Sequence, residues 1–97
     1  MPERPWLLVG FDAWITRWVH EYAPSLPVIL AVRGWVLSRA ENPFKGARFV
    51  EDFDNYLFSA VPGSMGPDGR VVTCAYWVFR EDWTVRCDMI STASWPV

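Results

Sequence analysis

One histidine, His20, and two cysteines, Cys74 and Cys87, are the side chains of this 97-residue chain whose ordinary titration lies closest to neutral pH, and so the first to weigh for proton transfer or nucleophilic attack. Two cysteines are too few for a disulfide framework and lack metal-ligand spacing, so no metal is expected and both thiols read as small buried hydrophobes. His20 falls beside the apolar stripe of a helix, where a surface or capping role outweighs a catalytic one. No nucleophile triad or phosphate-binding loop occurs, and no cofactor is expected. The pattern richest in recognition chemistry is Trp77, Phe79, Arg86 and Asp88. Aromatic rings flanked by arginine are the composition that interfaces favour.

Those residues need strands to hold them. Segments 56–61, 70–79 and 83–92 read as three consecutive strands, the last two joined by a tight turn at Arg80, Glu81 and Asp82. With Glu81 and Asp82 at the turn centre, Val72, Cys74, Tyr76 and Val78 share one face with Trp83, Val85, Cys87 and Met89. That face is expected to pack on helices. The opposite face carries Thr73, Ala75, Trp77 and Phe79 beside Thr84, Arg86, Asp88 and Ile90. Trp77 is thereby set across from Arg86, whose guanidinium could lie on the indole.

The helices lie upstream. Phe11, Trp14, Ile15, Trp18, Val19 and Tyr22 recur at helical spacing on one face, and Pro24 ends that helix. Ser25 is placed to cap a second helix, with Pro27 in its first turn and Val28, Ile29, Val32, Trp35 and Val36 on one side. Gly34 weakens it, and Asn42-Pro43 ends it. The two should form an antiparallel hairpin. Residues 6–9 form a short apolar strand before them, residues 46–54 read as a solvated acidic loop, and residues 62–69 are turn-rich. The whole is expected as one α+β domain spanning residues 1–97, in the order β-α-α-β-β-β.

An apolar fraction of 52% with seven tryptophans predicts more apolar surface than one copy can hide, and hence a protein partner or self-association. A net charge of -2 gives no general footprint for nucleic acid. The apolar run within residues 1–10 is too short for a signal peptide and nothing approaches a membrane span, so a cytoplasmic location is expected.

The run from Arg39 through Glu41, Asn42, Pro43, Phe44, Lys45 and Gly46 to Arg48, closing a helical hairpin and followed by three strands, resembles the RelE/ParE superfamily of small type II toxins. Members often close their second helix with a similar Glu-Asn-Pro-Phe turn and place a β-meander after it. The resemblance extends over nearly the whole chain in element order. It implies an antitoxin-like partner that lays an extended or helical segment over sheet and helices. Members that cleave messenger RNA carry basic residues on the later strands and a His or Tyr near the C-terminus. Here Thr73 stands where the strand arginine is expected, and residues 90–97 hold no histidine, tyrosine or basic residue. The groups left for acid-base and phosphate chemistry are Arg70, Arg86 and Glu81, with Arg80 and His20 more remote. The resemblance therefore implies a toxin-like protein that acts by binding a target, as the ParE branch does on DNA gyrase, rather than a ribonuclease.

Two other readings stay open on the residues themselves. One is a non-catalytic interaction or subunit domain that dimerises or binds a protein through its sheet, by an open edge or by Trp77 and Phe79. The other is a ligand pocket between a curved sheet and a helix.

Overall fold

The computed structural model describes residues 4–97, so the first three residues of the run considered above for a signal peptide lie outside it. Helix α1 (Phe11–Tyr22) buries Phe11, Ile15 and Trp18 on the expected face. Ala23 stops it in the left-handed region at φ 43, with its N–H on the Val19 carbonyl, and Pro24 prevents continuation. Helix α2 (Leu26–Ser38) follows, with Pro27 in its first turn. Ser25 occupies the N-cap position, yet its hydroxyl makes no capping bond, contrary to expectation.

Phe11 at the start of α1 and Trp35 near the end of α2 both lie against Tyr76, with ring centres 6.4 and 6.0 Å away. At the other end of α1, Trp18 Nε1 donates to Thr92 Oγ1 at 2.9 Å and the Tyr22 and Ser91 hydroxyls meet at 3.1 Å. The two helices thus run antiparallel over the same face of the sheet, as the proline-bounded link requires. Helix α2 is apolar on every side, and Arg33 is its only charge. Val32 and Val36 are buried, whereas Leu26, Leu30 and Leu37 face outward.

The sheet has five strands in the order β1-β5-β4-β3-β2, namely β1 (Leu7–Val9), β2 (Arg48–Phe49), β3 (Tyr56–Ala60), β4 (Arg70–Phe79) and β5 (Thr84–Ser94). β1 lies parallel to β5, and every other pairing is antiparallel. The α+β class and the order strand, two helices, then strands are as expected. Strand β2 corrects the reading of residues 46–54 as loop alone. Its two residues pair with Leu57 and Phe58, which is too short a run to leave a periodic signal.

The second correction concerns side-chain parity. Trp77 pairs with Arg86 and Phe79 with Thr84, as the turn predicts, but Ala75 pairs with Met89 and Tyr76 with Cys87. Asp88 is the extra residue of a β-bulge, and the two β5 side chains that follow it, Met89 and Ile90, change face. Ile90 therefore enters the core, and Met89 leaves it for the opposite face. Trp83 was also expected on the core face. It sits instead in the turn at φ 54, partly buried against Trp6 with ring centres 4.6 Å apart.

The core between helices and sheet joins Ile15, Trp18, Val32 and Val36 to Leu57, Val72, Cys74, Tyr76, Val78, Val85 and Ile90. Each fully buried aliphatic there returns about 1.5–3 kcal/mol. The link from β3 to β4 does not project into solvent. Pro62 borders a cavity shared with Trp35 and Ser38, a Cβ at Gly63 would stand 3.8 Å from that of Ala31, and Gly66 and Pro67 border another shared with Ser25 and Val28. The link therefore runs along α2. Buried Ser64 pins it, donating to the Val61 carbonyl and accepting from the Val72 N–H at 3.0 Å.

Candidate functional site

Strands β3, β4 and β5 turn one face to the helices and leave the other without a covering element among the described residues. On that open face Tyr56, Trp77 and Arg86 fall in one cross-strand row. The Tyr56 and Trp77 rings pack at 4.2 Å with 31° between planes, and Phe53 stands edge-on to Trp77 at 5.5 Å and to Tyr56 at 5.7 Å. Tyr56 Oη donates to Asp88 Oδ2 at 2.5 Å. Asp88 is the bulge residue and has no partner in the strand ladder. Burial, then the Asp88 carboxylate, push the Tyr56 phenol up to about 12, so it is a neutral donor across the physiological range.

The Arg86 guanidinium lies over the Phe79 ring, 5.4 Å from its centre. Trp77, the partner expected for it, is already engaged by Tyr56 and Phe53. Arg48 covers Phe58 in the same manner at 4.8 Å. The Tyr56–Trp77 row lies between these two cation-capped rings, and from the Phe58 row onward the β4 side chains Ala75, Thr73 and Val71 are buried, 2, 3 and 4% exposed. Beyond Phe58 lies an open groove of about 300 Å³, bordered by Arg48, Ala60, Trp95 and Val97. The face thus offers aromatic edges, two guanidiniums and one carboxylate at the end of the sheet nearer the β4–β5 turn.

Compared with models of known protein families, with curated proteins and with solved structures, the chain matches none.

The candidates for acid-base and phosphate chemistry are not brought together. Arg70 opens β4 with its guanidinium over Tyr22 at 5.7 Å, and Arg86 pairs with Trp77, seven residues further along that strand, or about 23 Å. Glu81 lies exposed in the β4–β5 turn, Arg80 caps Phe44 at 4.8 Å, and His20 is exposed in the last turn of α1. The other sequence candidates converge. Trp77, Phe79, Arg86 and Asp88 all belong to the open face or its bulge. The thiols face the core, where the Cys87 neighbour and burial hold the Cys74 thiol well above its usual range, protonated and unreactive. Among the described residues no three His, Cys, Asp or Glu side chains form a group able to hold a metal ion.

Three members of the face are not evident in the sequence. Phe53 lies among acidic residues of an expected loop, and Tyr56 and Phe58 acquire their facing only from the β3–β4 register, which a turn-rich link does not fix. Alternation within β3 was the one available signal.

The Glu-Asn-Pro-Phe turn is a structural centre apart from this face. Asn42 Oδ1 accepts from the Phe44 N–H at 3.0 Å, and Tyr76 Oη donates to the Pro43 carbonyl. Arg39 is buried and donates through Nη1 to the Lys45 carbonyl at 2.7 Å and to Tyr76 Oη at 3.2 Å, with its Cζ over the Trp35 ring, 4.4 Å from the ring centre. A guanidinium suits this place because its fork reaches several acceptors while its face stacks.

Proposed function

We propose that this chain is a non-catalytic binding domain whose working surface is the open sheet face, and that its partner is a protein. The observation that carries the reading is the concentration of Phe53, Tyr56, Trp77, Phe79 and Phe58 with Arg48, Arg86 and Asp88 on the one sheet face without a covering element among the described residues. Aromatic and arginine side chains carry most of the energy at protein interfaces. A partner would cover rings that are already mutually packed, so little side-chain entropy is lost on binding. The test uses Phe53→Ala and Arg86→Ala, both at exposed positions. Each should keep the wild-type Tm while losing the protein that wild type enriches on crosslinking and recovery from its native host. An enriched partner held equally by both variants would overturn the reading.

A toxin-like action is the second reading, favoured by the order strand, two helices, strands and by the tightly held Glu-Asn-Pro-Phe turn. In it the same face would bind the toxin's target or its antitoxin. Induced expression should then arrest bacterial growth, and Arg86→Ala should relieve the arrest. Unimpaired growth at high soluble expression would remove this reading and leave the first intact.

A further inference from the structure

The outer side of α2 carries a stripe that nothing in one copy uses. Leu26, Leu30 and Leu37 are 65, 59 and 68% exposed, and an added Cβ at Gly34 meets no atom within 4 Å. These four positions follow one another by four, four and three residues, which is one side of a helix. The opposite side packs Val32 and Val36 into the core. A helix that is apolar on every side is normally covered on every side. Arginine placement gives a second, independent sign. Among the described residues seven arginines lie over aromatic rings, and Arg33, on this stripe, is the exception.

We infer that a second copy of this chain covers the stripe, with the two α2 helices antiparallel about a two-fold axis near residue 32. The stripe is self-complementary in that arrangement. Leu30 of each copy falls on Gly34 of the other, a large side chain over the one position without a side chain, and Leu26 falls against Leu37. Arg33 comes opposite Ala31 rather than opposite a second Arg33, so its stem covers apolar surface while its head reaches water. A parallel pairing would set Arg33 on Arg33 and Gly34 on Gly34, leaving both a repulsion and a void.

A stable interface buries about 800 Å² per partner. Three leucines nearly two-thirds uncovered supply its apolar centre. The small net charge of -2 per copy opposes association little. This surface lies on the helical side of the molecule, away from the open sheet face, and the inference does not depend on the binding proposed there.

Sedimentation and light scattering across a concentration series test it on the full chain. Wild type should reach twice the 11.2 kDa of one chain. Leu30→Glu should return the mass to one copy with the circular dichroism of a folded protein, since that side chain touches nothing in the core. Gly34→Leu should do the same by filling the notch, although in a lone helix it would favour folding. Leu26→Cys with Leu37→Cys should crosslink between copies as the antiparallel pairing requires. A wild type that stays at one copy throughout overturns the inference. So does a dimer that survives Leu30→Glu and Gly34→Leu but is lost in Phe53→Ala, which would place the contact on the sheet. A single-copy wild type that binds some other protein through Leu30 overturns it as well, because the occupant is then not a second copy.

Discussion

Tyr56 ties two of the open face's chemistries together, as a ring stacked on Trp77 and as a donor to Asp88. Its phenol is raised from 10.0 to about 12 by burial first and the carboxylate second. Between those pH values the folded state keeps a proton that the unfolded state has lost. This contribution to stability is therefore complete below pH 10 and disappears as pH rises through 12. Asp88→Asn should lower the Tyr56 titration toward 10 without reaching it, because burial remains. Phenolate absorbance, with Tyr56→Phe marking which transition is lost, measures the shift. Arg39 is a residue of the opposite kind, closed off from solvent and holding a turn. Arg39→Lys keeps the charge but cannot satisfy the spread of carbonyl and hydroxyl acceptors, and it should cost about 1.5–3 kcal/mol in chemical denaturation. An unchanged midpoint would mean that the turn holds without the fork.

At the scale of elements, α1 was legible because six apolar residues repeat at helical spacing, and Trp18 lies where that spacing puts it. Trp18→Ala should cost about 3–5 kcal/mol, including the loss of its bond to Thr92. The β4–β5 hairpin was legible near its turn, where residue type fixes the register, and Trp77 does face Arg86. It ceased to be legible at Asp88. An exposed acidic residue in an alternating strand looks the same whether it continues the ladder or stands outside it, so nothing marks the bulge before the partner strand is known. Paired substitutions test the consequence. Ile90→Ala should cost about 2–5 kcal/mol as a core truncation, and Met89→Ala, on the open face, clearly less. The reverse order in thermal melts would restore the uninterrupted register. The open face was half legible for the same reason. Trp77, Phe79, Arg86 and Asp88 follow from one hairpin, whereas Phe53, Tyr56 and Phe58 depend on pairing across a long link, and Arg39 gives no sign in the sequence that it is buried.

Across the whole molecule, the first and last strands are neighbours. Leu7 pairs with Thr84, and the Trp6 N–H reaches the Ala40 carbonyl at 2.9 Å. No local pattern announces such a contact. It was missed because parallel pairing between distant segments leaves no turn between them to read. Removing residues 1–9 should lower Tm and expose the edge of β5, whose free N–H and C=O groups then invite strand addition. Light scattering on heating should show aggregation that the complete chain does not. Unaltered melting and scattering would mean that β1 contributes nothing to closure.

The parallel setting of β1 on β5 also fixes how the molecule bears load. A pull applied before Leu7 and after Ser94 draws the two strands past each other along their length. The hydrogen bonds between them must then break together in shear, whereas a hairpin pulled at its open end unzips one bond at a time. Resistance to stretching from the ends thus resides in three residues of β1, and a proline at Leu8 would remove it while leaving the hairpin of β4 and β5 in place.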